Sequence, residues 1–205
     1  MNKAKKILAL LLCAVLLVGA TVAGTVAYLT SEDEVTNTFT VGNVKIYLDE
    51  TDVDESETDV EEGVTGRDKA NDYHLMPGQE YVKDPRVTVK AGSEPCYIFV
   101  RVVNEITEIE DADATIASQM EDNWTLVSDE TNVYYYKDVL SAGDTATVFE
   151  KFAVASDVTN EVLAAYGPDE NNVAKTIVVT AYAVQQQGFA NANAAWTAAK
   201  AELTK

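Results

Sequence analysis

Residues 95–104 read PCYIFVRVVN, and this run decides the fold class. In an extended chain Cys96, Ile98, Val100 and Val102 share one face, and Tyr97, Phe99, Arg101 and Val103 share the other. Both faces are largely apolar, so the run predicts a strand in the middle of a sheet, covered above and below. Its β-branched and aromatic content suits a pleated surface.

Such a strand needs neighbours, and the flanking sequence supplies them. Residues 38–48 carry Phe39, Val41, Val44, Ile46 and Leu48 at a period of two, with a slip at Gly42–Asn43 that predicts a turn or bulge. Residues 81–91 read as two half-strands kinked at Pro85, which has no N–H to give to a ladder. Further strands are expected at 124–127, 133–137, 146–155 and 176–184, with Pro77–Gly78 and Gly143–Asp144 as turn signals. Helical spacing marks 108–122. Residues 156–166 read as a helix capped by Ser156 and stopped by Gly167–Pro168, and the Ala-rich 191–203, with Trp196 and Leu203, as a terminal helix. The expected fold is mainly β: an antiparallel jelly-roll or Greek-key sandwich with short peripheral helices.

The chain has 205 residues, suited to one ordinary domain, and at 47% hydrophobic it can bury a core. A net charge of −19 argues against a nucleic-acid partner, which needs a basic stripe to replace phosphate counterions, and against docking on anionic lipid. The acids concentrate at 49–62, nine in fourteen residues. That stretch reads as a solvated loop.

The first residues read as an export signal: Lys3, Lys5 and Lys6, then an unbroken apolar run over 7–18, then small residues. Thr25 and Ala27 fit the small-x-small cleavage pattern, which predicts a cut between Ala27 and Tyr28. Residues 28–205 would then form a single domain of net charge −22 with one cysteine, Cys96, and therefore no internal disulfide. After cleavage no membrane segment is expected.

Residues 24–48, GTVAYLTSEDEVTNTFTVGNVKIYL, resemble the N-terminus of the TasA/camelysin family. The likeness rests on the small-residue exit before Tyr28, the acidic-polar stretch over 31–34, the pattern Asn37-x-Phe39-x-x-Gly42 and the alternating strand that follows. Leu75–Met76–Pro77–Gly78, Lys83–Asp84–Pro85 and the run 181–184 extend it over much of the mature chain. The resemblance implies a jelly-roll sandwich secreted by a Gram-positive bacterium after cutting by a SipW-type signal peptidase. It implies life in the extracellular matrix or at the cell surface. Some members build biofilm-matrix fibres, and others carry the name of camelysin metallo-endopeptidases.

Little in the chain speaks for catalysis. A helical zinc-protease motif needs two His one turn apart, and only His74 is present. A Cys96–His74 nucleophile and base is the remaining pairing, and Cys96 falls within an apolar strand. No catalytic residue and no resident cofactor is expected. Asp49, Asp52, Asp54, Glu55, Glu57 and Asp59 are hard oxygen donors at close spacing, which suits weak calcium binding, although the run lacks the glycine and terminal Glu of an EF-hand.

The expected function is structural: a secreted subunit that associates with itself and with other matrix components. Its N-terminal segment, with Tyr28, Leu29, Val35, Asn37 and Phe39, would add as a strand to a neighbour's sheet edge. The alternatives are an extracellular metallo-endopeptidase and a monomeric binding module whose tyrosines, Tyr134–Tyr135–Tyr136 among them, meet a ligand.

Overall fold

The computed structural model describes residues 43–54, 65–168 and 174–203. Among them ten strands form three antiparallel sheets, accompanied by three short helices. One sheet holds β1 (Ile46–Thr51), β2 (Arg67–Asp68), β4 (Arg86–Val89) and β8 (Thr145–Thr147) in the order β2-β1-β4-β8. A second holds β5 (Cys96–Asn104), β6 (Trp124–Leu126), β7 (Val133–Tyr136) and β10 (Ile177–Gln185) in the order β10-β5-β7-β6. The third pairs β3 (Glu80–Val82) with β9 (Lys151–Ala153).

The strand that the sequence placed centrally is central. β5 pairs along its whole length with β10, from Asn104–Ile177 to Cys96–Gln185, and with β7 on its other side. Ile98, Phe99 and Val100 have no exposed surface, because the two faces of β5 serve two cores. Cys96, Ile98, Val100 and Val102 meet Val87, Val89 and Ala146 of the facing sheet in the main core of the sandwich. Phe99 points the other way, into a smaller core with Val133, Val184 and Trp196, roofed by α3 (Ala192–Leu203). Each fully buried aliphatic or aromatic side chain of this kind contributes roughly 1.5–3 kcal/mol relative to exposure.

Pro85 does more than kink a strand. It is where the chain changes sheets: β3 before it pairs with β9, and β4 after it pairs with β8. The expected strand 146–155 is therefore also two strands, broken at the same level. The Val148 N–H donates to the Pro85 carbonyl oxygen at 2.8 Å, and the Lys83 N–H to that of Glu150 at 3.3 Å. The two chains turn the corner together.

The helical expectations shrink. Within 108–122 the helix is only α1 (Ile116–Met120), with Thr115 accepting from the Ser118 N–H as its cap. Ahead of it Glu110 is bridged to Val154 and its carboxylate accepts from the Ile116 N–H, so that stretch is held outside a helix. Within 156–166 the helix is α2 (Asn160–Leu163), capped by Thr159 rather than Ser156. Ser156 instead backs onto Gly78, whose φ of +70° favours glycine in the Pro77–Gly78 turn. Residues 38–42 of the first expected strand lie outside the described residues. The described part begins at Ile46 and continues to Thr51, which draws Asp49 and Glu50 into the sheet. No described helix is long and apolar enough to cross a membrane.

Candidate functional site

The two sides of the sandwich are built differently. On one side β6 and β8 are the edges, and Trp124 of β6 donates through Nε1 to the carbonyl oxygen of Thr147 on β8 at 2.9 Å. On the other side, among the described residues, β10 is an edge strand over its full length and the first half of β1 is paired only with β4. A cleft of about 1430 Å³ is bordered by β1, the segment 68–76, α2 and the start of β10. Ile46, Leu48, Ile106, Leu163, Ile177 and Val179 line its apolar part, and Glu50, Tyr73 and Lys83 its polar end.

The backbone of β10 has a definite polarity toward this cleft. The Gln186 N–H donates to the Pro95 carbonyl oxygen at 2.8 Å, and the Glu105 N–H to that of Thr176 at 3.0 Å. Antiparallel pairing alternates, so even-numbered residues of β10 bond to β5, while Ile177, Val179, Ala181 and Ala183 turn their N–H and C=O groups outward. The same four residues pack their side chains against the main core. Among the described residues no strand pairs with that outward side. It is an apolar edge of the kind that takes another strand.

The polar end overturns the solvated reading of the first acidic residues. Asp49 and Glu50 are each only 5% exposed. Arg67 donates from Nε to Asp49 and from Nη1 to Asp84 at 2.9 Å, while its Nη2 reaches the backbone oxygens of both. Arg86 stands 3.5 Å from the same oxygen of Asp49. Burial works against the Arg67 charge, but the Asp84 and Asp49 carboxylates outweigh it and hold the guanidinium above its ordinary pKa. Burial would likewise raise Asp84, but the Thr51 N–H, donating at 2.6 Å, and Arg67 pull it below the usual carboxylate range.

Glu50 has its own set of partners. Lys83 Nζ donates to Oε2 at 2.6 Å and Asn71 Nδ2 to Oε1 at 2.9 Å. Lys83 is itself 9% exposed and lies 5.8 Å from the centre of the Tyr73 ring, which packs edge-on against Tyr81 and Phe152. Burial, with Glu50 and Asp84 nearby, pushes the Tyr73 hydroxyl well above its ordinary pKa.

Of the expected calcium ligands, the structure brings Asp52 and Asp54 together and adds Asp68, one ligand oxygen from each lying within 4.8 Å of the others. Asp49 is not in the group, because the arginines hold it. Glu55, Glu57 and Asp59 lie outside the described residues, as do Ala27, Tyr28, Leu29, Val35, Asn37 and Phe39. An all-carboxylate set suits a hard cation, and three donors are about half of what calcium takes. His74 is exposed, and its carbonyl oxygen accepts from the Tyr81 hydroxyl at 2.7 Å. Cys96 is sealed in the main core, where burial pushes its thiol up to about 11. An exposed imidazole and a sealed thiol do not form a nucleophile and its base.

Sequence reasoning missed Arg67, Asp68, Asn71 and Lys83. The available signal was the alternation of Ile46 and Leu48 running without a break into Asp49 and Glu50, which asks for buried cations elsewhere in the chain. No family model, curated protein or solved structure matches this chain.

Proposed function

We propose that the chain is a secreted structural subunit of the extracellular matrix or cell surface, cut after Ala27 by a signal peptidase of the SipW type. It self-associates by lending its N-terminal segment to a neighbour. The observation that carries this reading is the apolar cleft bordered by β1 and the start of β10, beside that strand's outward edge. The occupant is the segment over residues 28–41 of another copy. Val35, Asn37, Phe39 and Val41 alternate there with Thr36, Thr38 and Thr40, giving one strand face to fill the cleft and one to meet water. The same edge offers the strand its main-chain partners, and the side-chain alternation sets its register.

Such a contact is head-to-tail and does not close on itself, so it builds filaments. The charge of −22 on the mature chain opposes it, and assembly is therefore favoured by calcium, by salt and by acidity. Negative-stain electron microscopy of residues 28–205, from about pH 4 to about pH 8 with and without calcium, tests the reading against a chain that begins at Asn43. Fibres are expected from the first and not from the second. Monomers under every condition, or equal fibres from both, overturn it.

A further inference from the structure

The surroundings of Glu50 form a complete set of groups for one covalent reaction. The amine Nζ of Lys83 and the amide Nδ2 of Asn71 sit on the two oxygens of the same carboxylate, at 2.6 and 2.9 Å. The amine and the amide are thereby held side by side. The orientation of the Asn71 amide is settled by its other partners. Nδ2 also donates to the Thr51 carbonyl oxygen at 3.0 Å, and Oδ1 accepts from the Val53 N–H at 2.8 Å. Lys83 and Glu50 are buried, and the Tyr73 ring covers the lysine.

We propose that Lys83 and Asn71 join in a self-catalysed isopeptide bond, with Glu50 moving the protons. Glu50 takes a proton from the Lys83 ammonium, and the freed amine attacks Cγ of Asn71. The negative charge that develops on Oδ1 is met by the Val53 N–H, already in place. The Nζ–Cγ bond forms as the Cγ–Nδ2 bond breaks. Protonated Glu50, in contact with Nδ2, gives its proton to the departing nitrogen, then takes the surplus proton that Nζ carries after the attack and passes it on as well. The nitrogen leaves as ammonium, Nζ keeps one hydrogen and Glu50 ends as a carboxylate. Nothing is oxidised or reduced, and no other reactant is needed. Fixed geometry supplies the effective concentration that an amine and an amide lack in water.

The cross-link would tie the segment after β2 to the segment after β3, closing a ring over residues 71–83 at the polar end of the cleft. It does not depend on self-association, and its readout is a mass rather than a fibre.

The test is peptide mapping of the purified full-length and mature chains. Trypsin should yield a peptide spanning residues 70–86, uncut at Lys83 and lighter by about 17 Da, the mass of the ammonia lost. It should give no backbone fragments from between Asn71 and Lys83, since a single cut inside a ring releases nothing. Glu50→Gln and Lys83→Arg, verified as folded by circular dichroism, should give this region at full mass. A wild-type peptide at full mass overturns the proposal. So does a loss of ammonia with ordinary fragments between residues 71 and 83, which is closure of Asn71 on its own backbone. A bond that forms equally well in Glu50→Gln removes Glu50 from the reaction and overturns the mechanism.

Discussion

Trp124 Nε1 donates to the carbonyl oxygen of Thr147 at 2.9 Å, and this one bond joins the edge of one four-stranded sheet to the edge of the other. Trp124 is 3% exposed and packs edge-on against Tyr136. One side of the sandwich is thus tied across by a side chain, while on the other side β1 and the start of β10 border the apolar cleft. Trp124→Phe keeps most of the packing but leaves the Thr147 carbonyl without its donor. It should cost about 1–3 kcal/mol in urea unfolding, with little change in the slope.

The outward edge of β10 separates assembly from folding. Val179 lines the cleft, while Val103 of β5 lies outside it on the face that the strand shares with Phe99 and is 40% exposed. Val179→Glu, with its fold checked by circular dichroism because Val179 also packs against the main core, should abolish fibres, since it places a carboxylate where the proposed strand would dock. Val103→Glu should leave fibres intact. Light scattering and electron microscopy of the two variants read the difference.

The Arg67 network should make the fold acid-sensitive in a definite direction. The folded pKa of Asp84 lies below its ordinary value of about 3.9. Its contribution is therefore fully present above the unfolded pKa and is lost as pH falls through the folded one. Urea midpoints should drop below about pH 4, and Asp84→Asn should flatten that part of the profile. Arg67→Met, which leaves Asp49 buried without its main partner, should cost about 3–5 kcal/mol at neutral pH.

Cys96 should be silent while the chain is folded. With its thiol pushed up to about 11 and no exposed surface, it should resist alkylation at neutral pH and react promptly in denaturant. Mass spectrometry after timed labelling reads both states. Fast labelling of the native chain would mean that the main core opens readily.

Trp196 anchors α3. It is 2% exposed, sits 5.1 Å from Phe99 by ring centres and donates through Nε1 to Glu130 at 2.8 Å. The indole hydrogen bond is the first cause of the lowered Glu130 pKa. Trp196→Ala should cost about 3–5 kcal/mol and expose Phe99. Hydrogen exchange should then rise over α3 and β10 and leave the main core protected.

The elements that were legible in the sequence are those whose cause is local. β5 is central because its own residues are apolar on both faces, and α3 forms where Ala dominates and Trp196 and Leu203 share the buried side. The Pro85 kink was legible as a kink, since a missing N–H is a property of one residue. That it moves the chain between sheets was not, because this depends on β8 and β9 breaking at the same level. The cap of α2 was misplaced because Ser156 and Thr159 both suit a helix start by residue type, and the tertiary backbone path puts Thr159 in the extended cap conformation, where it accepts from the Val162 N–H.

By itself the sequence determined a mainly β chain, the position of its central strand and its strongly acidic charge. Each of these follows from residue type and from a repeat of two along the chain. Only the tertiary structure decided that Asp49 and Glu50 are buried, and that Arg67, Asn71 and Lys83 come to them from 18, 21 and 33 residues away. Likewise, only packing left the outward edge of β10 without a covering strand among the described residues. An acidic run looks solvated from within, because a carboxylate enters a sheet only when a cation from elsewhere in the chain is folded against it. That partner is set by topology, which no local period records.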